Sequence, residues 1–210
     1  MLHSPYKVVQ MFEEEMAHYT GAPYAVSINS CTNALFLACK WVQVKNKEVV
    51  IPKRTYLSSP QSIRQAGGKL VFDDRLWEGM YQLKPFPIYD AAKRLTSNMY
   101  IAGTFMCLSF HIKKHLKIGK GGMILTDNHT AAEWLKARRY EGRTAGVMYH
   151  EDNIEEEGWN MYMTPEQAAR GLTLMQNYPQ LVPDIPENPP YRDLTEFDIF
   201  KDVEVRTHGR

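Results

Sequence analysis

Long apolar runs are missing from this 210-residue sequence. Nowhere do the roughly 18 successive apolar residues of a membrane-spanning helix occur. The N-terminal region carries an acidic, helix-like stretch, Phe12-Glu13-Glu14-Glu15-Met16, in place of a cationic and then apolar leader. Cysteine is scarce, and Cys31, Cys39 and Cys107 show no CxxC spacing, which argues against both a zinc knuckle and a disulfide framework. These absences set the expectation of a cytoplasmic protein without a membrane role. Charge excess is lacking too: 25 Lys and Arg stand against 24 Asp and Glu, so no bulk field favours nucleic acid. A charged ligand must be held locally. No internal repeat is present, and the length exceeds only slightly the roughly 100–200 residues of one domain, so a second complete domain is not expected.

What is present is an alternation of strand and helix patterns. Apolar residues at helical spacing (Val8, Val9, Phe12, Met16) mark a first helix over 5–19, with Gly21 as its stop. A strand from Ala25 to Ile28 then leads through the turn Asn29-Ser30-Cys31-Thr32 into an apolar helix from Asn33 to Val42. The same order recurs as strand Glu48–Ile51, helix Ser59–Gln65, strand Leu70–Phe72 and strand Phe86–Tyr89, then strands Phe105–Phe110 and Met123–Thr126 and a helix over 130–140. Thr164-Pro165-Glu166-Gln167 reads as a capping box opening a helix that reaches about Asn177. Such alternation predicts an α/β fold of three layers, with a mostly parallel sheet between helices. Pro179, Pro183, Pro186, Pro189 and Pro190 then forbid helix, so residues 1–177 are read as one large domain and 178–210 as a proline-rich tail.

Four features carry chemistry. Ser30-Cys31-Thr32-Asn33 sits at a strand-to-helix turn, where free amides and the helix dipole favour phosphate; by itself this is also an ordinary cap. Asp90 closes a strand in the run Tyr89-Asp90-Ala91-Ala92, where open α/β sheets hold ligands and a carboxylate can keep a ring nitrogen protonated, or can simply cap the next helix. Ser109-Phe110-His111-Ile112-Lys113-Lys114-His115, followed by Gly119-Lys120-Gly121-Gly122, presents lysines from a loop after a buried strand. A desolvated lysine among other cations (Lys113, Lys117, Lys120) loses its proton readily and becomes a Schiff-base nucleophile; a solvated basic face is the plainer alternative. Gly158-Trp159-Asn160-Met161 precedes the capped helix. His111 and His115 lack a further ligand, so no metal is expected. Asn128-His129-Thr130 is a glycosylation triplet, but with no secretory leader expected it would not meet the machinery, and Glu155-Glu156-Glu157 reads as a solvated loop.

In this order, together with Ile51-Pro52, Thr55-Tyr56, Phe72-Asp73-Asp74 and Gln167-Ala168-Ala169, these segments resemble the DegT/DnrJ/EryC1/StrS sugar aminotransferases from about residue 5 to 175. The resemblance implies the large domain of fold type I and pyridoxal 5'-phosphate as cofactor, with transfer of an amino group from a donor such as glutamate to a keto acceptor. Lys114 matches the lysine that holds the cofactor as a Schiff base and moves the proton. Asp90 matches the acid paired with the pyridinium nitrogen, and Tyr56 the aromatic ring stacked on it. Cys31, Thr32, Asn33 and Ser109 fall in the phosphate-binding region. Asn160 matches an asparagine that reaches the phosphate of the other subunit, so a homodimer with shared sites is implied.

Two departures stand out. Lys93 occupies the position three after the acid, where Gln or His is usual, and Lys120 replaces the acid of the glycine loop, so the site is more cationic and suited to anions. Family members also continue past the Gln167 helix into a second lobe, where this chain enters its proline-rich tail. The expectation is therefore a minimal form with an open site. Alternatives are non-transaminating PLP chemistry, such as racemisation or hydrolysis of the cofactor's phosphate ester, or PLP binding without turnover.

Overall fold

A computed structural model describes residues 6–144, 146–186 and 190–207. Residue 5, expected to open the first helix, and Pro189 lie outside these. The elements run α1 Lys7–Thr20, β1 Tyr24–Ile28, α2 Cys31–Trp41, β2 Glu48–Pro52, α3 Ser58–Gln65, β3 Lys69–Asp73, β4 Tyr81–Gln82, β5 Ile88–Asp90, β6 Phe105–Ser109, β7 Gly122–Thr126, α4 His129–Arg138, α5 Pro165–Met175 and β8 Val205–Arg206.

The strands form one set in the order β1-β7-β6-β5-β4 and another in the order β2-β3-β8. Two backbone hydrogen bonds between Val50 and Lys84, at 2.8 and 3.0 Å, join the two sets. Alternation along each strand sorts side chains into two cores, as the pleat requires. Val26, Ile28, Cys107 and Ile124 face the core shared with α2, α3 and α4. Ala25, Met106, Leu108, Met123 and Leu125 face the other, with Val9, Phe12 and Met16 of α1 and Ala168 and Met175 of α5. The result is three layers, helix, sheet and helix.

Pairing is parallel at β2–β3, β3–β8 and β5–β6, and antiparallel at β1–β7, β6–β7 and β4–β5. The sheet is thus more mixed than the alternation of elements predicts. β7 returns from β6 through a loop with no helix in it, and a connection of that kind brings a strand back antiparallel. β4 was not expected at all, and the strand expected at Phe86–Tyr89 lies at Ile88–Asp90; Pro85 and Pro87 have no N–H to donate to a ladder. α5 begins with the capping box read from the sequence, Gln167 N–H donating to Thr164 Oγ1 at 3.4 Å and Thr164 N–H to Gln167 Oε1 at 3.0 Å.

The chain beyond α5 runs back along the domain. Tyr19 O–H donates to the Pro179 carbonyl at 2.6 Å, His115 Nε2 lies 2.9 Å from the Pro183 carbonyl, and Ile185 N–H donates to the Lys93 carbonyl at 2.9 Å. Asp184 pairs with Arg94, and Asp193 with Lys53 at 2.8 Å. Leu194 and Phe200 are buried in the main core, where Phe200 packs edge-on against Phe72 at 5.7 Å, and β8 extends the sheet at β3. Among the described residues no helix is long and apolar enough to cross a membrane.

Candidate active site

A cleft of about 840 Å³ opens where the ends of β5 and β6 meet the N-terminal end of α2. This is the volume range of small-molecule and cofactor sites. Its lining includes Cys31, Thr32, Tyr56, Asp90, Lys93, Ser109 and Lys114, seven of the nine residues picked from the sequence. Asn33 and Asn160 are not among its lining residues. Asn33 turns its amide to Asn29 Oδ1 at 2.7 Å, and the exposed Asn160 donates to Glu141 Oε1 at 3.0 Å beside an isolated bridge to Tyr140.

The turn that opens α2 is built by Ser30, whose extended backbone and hydroxyl cap the helix by accepting the Asn33 N–H at 3.1 Å. The start of β7 presses against this turn. A Cβ on Gly122 would collide with the Ser30 carbonyl carbon and the Cys31 nitrogen, so the second glycine of Gly121-Gly122 is required by close approach. Thr32 Oγ1 donates to Ser58 Oγ at 2.9 Å, which ties the helix end to α3. Ser109 ends β6 on the same side of the cleft.

Asp90 is buried at the end of β5. Its Oδ2 accepts the hydroxyls of Ser59 and Tyr81, each at 2.9 Å, and its Oδ1 accepts the Ala92 N–H at 3.1 Å. Lys114 comes from the loop after β6, which Leu116 and Ile118 anchor in the core. Burial holds its ammonium below the usual lysine range; Asp90 and Cys31 oppose this, and Lys93 adds to it. The lysine that contributes is therefore Lys93, across the cleft, where the sequence pointed to the neighbours Lys113, Lys117 and Lys120. Burial pushes the Cys31 thiol well up, so it stays protonated against the Cys107 carbonyl at 3.6 Å.

The rim is aromatic. Lys93 Nζ lies 5.3 Å from the centre of the Trp77 ring and 5.5 Å from that of Tyr191, and the two rings stack 6.1 Å apart at 16°. Tyr56 is 56% exposed, 6.4 Å from Tyr191. Ser59, Trp77, Tyr81 and Tyr191 were not picked from the sequence. Ser59 and Tyr81 lie 31 and 9 positions from the carboxylate they serve, with no local motif to connect them. Tyr191 lies in the proline-rich segment. Among the described residues no group of three or more His, Cys, Asp and Glu is placed to hold a metal ion.

Residues 1–99 and 88–184 match the DegT/DnrJ/EryC1/StrS aminotransferase family. The chain belongs to that family. The spore coat polysaccharide biosynthesis protein SpsC of Bacillus subtilis is 28% identical, over 78% of this chain and 55% of the relative. GDP-perosamine synthase of Escherichia coli O157:H7 is 25% identical, over 80% of this chain and 57% of its own length. This chain thus spans little more than half the length of these relatives. The first match also runs over 217 aligned positions while using only 78% of this chain, so the relative holds residues inside the matched span that have no counterpart here.

Solved structures agree on the fold. A putative sugar aminotransferase of Streptococcus pneumoniae in its PMP-form superposes with a TM-score of 0.70 at 20% identity, over 83% of this chain and 59% of that one. The Helicobacter pylori aminotransferase PseC gives a TM-score of 0.70 at 17% identity, over 82% of this chain and 58% of that one.

Proposed function

We propose that this chain binds pyridoxal 5'-phosphate through Lys114 and transfers an amino group from an amino-acid donor such as glutamate to a keto acceptor of the keto-sugar class. The observation that carries this reading is one cleft lined by an amine whose charge burial disfavours and by a buried carboxylate, Lys114 and Asp90. Family membership and the curated relatives point the same way.

The residues fit the cofactor. Thr32, Ser109 and the free amides at the start of α2 suit its phosphate; Asp90, held by three hydrogen bonds, suits a protonated ring nitrogen; Tyr56 offers an aromatic face. Bound there, the cofactor supplies an electron sink for the α-carbon of the donor. Lys114, whose ammonium burial disfavours, would hold the cofactor's aldehyde carbon and would be the group placed to carry a proton to and from the donor's α-carbon. Lys93, buried in the cleft wall behind Trp77 and Tyr191, adds positive charge for an anionic acceptor or donor. Residues 1–177 would form the cofactor-binding unit, with Ile185, Pro186 and Tyr191 of the following segment as part of its wall. Asn160 is proposed to act across a homodimer, where its exposed position leaves it open to a partner's site. Three unpaired thiols suit a reducing cytoplasm.

The test is reconstitution with PLP, followed by borohydride and peptide mapping. Wild-type protein should turn yellow and carry the reduced cofactor on Lys114, and Lys114→Ala should bind it reversibly and lose amino transfer by roughly a thousandfold or more. A wild-type protein that stays colourless at saturating PLP would refute the reading. Release of free phosphate without amino transfer would show a different PLP chemistry.

A further inference from the structure

Asp90 sits at the end of a directed chain of hydroxyls. Thr55 Oγ1 donates to the Tyr81 oxygen at 2.8 Å, which leaves Tyr81's single hydrogen for Asp90 Oδ2 at 2.9 Å. Ser59 sends a second hydroxyl hydrogen to the same oxygen at 2.9 Å. The Ala92 N–H takes one lone pair of Oδ1 and leaves another. Every partner is a donor, and all four residues of the chain are buried.

Oδ2 thus faces two hydroxyl hydrogens from different elements, and Tyr81 could turn away only if Thr55 also reversed. Such an array fixes the direction in which the carboxylate accepts, because hydrogen bonds set both angle and distance. We propose that Tyr81, supported by Thr55 and joined by Ser59, is a positioning residue that fixes the orientation of the Asp90 carboxylate as acceptor for the pyridinium nitrogen. The proposal rests on the PLP reading of the cleft and assigns work to β4, a short strand placed just ahead of the join between the two family-matched stretches.

The other titratable groups around Asp90 leave this role to the hydroxyls. Cys31 from α2 and Cys107 from β6 keep their protons, since burial and the Asp90 charge push both thiols well up. Lys114, from the loop after β6, faces Asp90 but serves the aldehyde. Tyr81 is likewise pushed well above the usual phenol range, by burial first and by Asp90 second, so it remains a donor at any working pH.

The experiment compares wild type, Tyr81→Phe and Tyr81→Phe/Ser59→Ala, each loaded with PLP labelled with ¹⁵N in its ring. Tyr81→Phe keeps the ring that packs on Trp77 at 4.8 Å, so far-UV circular dichroism should be unchanged for it. Both variants should keep the yellow colour. Their ring-¹⁵N signal should move toward that of an unprotonated pyridine, and the glutamate half-reaction should slow by roughly tenfold or more. Yellow variants with the wild-type ¹⁵N signal and wild-type rate would overturn the proposal while leaving the PLP reading intact. A colourless wild type would remove that reading, and this proposal with it. Should the double variant not fold, the single one decides.

Discussion

The floor of the cleft and its rim are built from different materials. At the floor, Asp90 is fixed by short hydrogen bonds among buried groups drawn from α3, β4 and β5. At the rim, Trp77, Tyr191 and Tyr56 gather over the buried Lys93 through ring contacts at 5.3–6.4 Å, and Tyr56 is largely exposed. Hydrogen bonds fix angle and distance and fail abruptly when one partner is lost. Ring contacts tolerate shifts and are worth about 0.5–1.5 kcal/mol each. The floor is therefore suited to chemistry at fixed atoms and the rim to holding substrates of variable shape.

The sharpest way to break this comparison is to detach the segment that delivers Tyr191. Phe200 is 1% exposed, packs on Phe72 and lies under the Arg64 guanidinium at 5.2 Å. Phe200→Ala should cost about 3–5 kcal/mol in urea denaturation, the range for truncating a buried aromatic. Limited proteolysis should then cut between residues 178 and 207 first. PLP binding to the folded fraction should persist, because the floor takes none of its hydrogen bonds to Asp90 from that segment. Loss of PLP binding in step with proteolysis would show that floor and rim are one unit.

The two regions also differ in how far the sequence discloses them. Strands β1, β6 and β7 follow from apolar runs bounded by turn residues, and Asp90, Thr32 and Lys114 from short motifs at strand ends. Tyr81 and Ser59 act on a carboxylate that no periodicity links to them, and β4 holds only two residues, too few to show alternation. The segment after α5 is read as extended because of its prolines, yet Leu194, Phe197 and Phe200 recur every third residue and pack on the main core. So short a run does not tell which surface it covers, and its burial against Phe72 emerges only from the fold. Lys93 is visible as a departure from the family pattern, but that it faces Lys114 emerges only from the fold.

That pairing gives the next prediction. Lys93 lowers the proton affinity of Lys114, after burial, and Asp90 and Cys31 raise it. Lys93→Gln removes a cation, so the Lys114 ammonium becomes easier to keep and less neutral amine is available at a given pH. Covalent capture of pyridoxal phosphate should slow by roughly two- to tenfold near pH 7.5. The two proteins should converge as pH rises and Lys114 loses its proton in both. A deficit that is constant across pH would mean that Lys93 acts on the phosphate, or on packing, instead of on the Lys114 proton.

The smallest effect is expected at Tyr191. Its ring is half-buried, stacked on Trp77 and turned toward Lys93, while Trp77 is separately held by its indole N–H on the Arg54 carbonyl at 2.8 Å. Tyr191→Ala removes one ring face and leaves Lys93 with the other at 5.3 Å. The stability cost should stay below about 1.5 kcal/mol. For catalysis, a rim that only holds substrate contributes equally in the ground state and the transition state, so KM should rise several-fold with kcat little changed. Steady-state kinetics with varied donor and acceptor separate the two constants. If kcat falls instead while KM holds, Tyr191 acts on the reacting atoms, and the rim has to be counted as part of the chemical machinery alongside the floor.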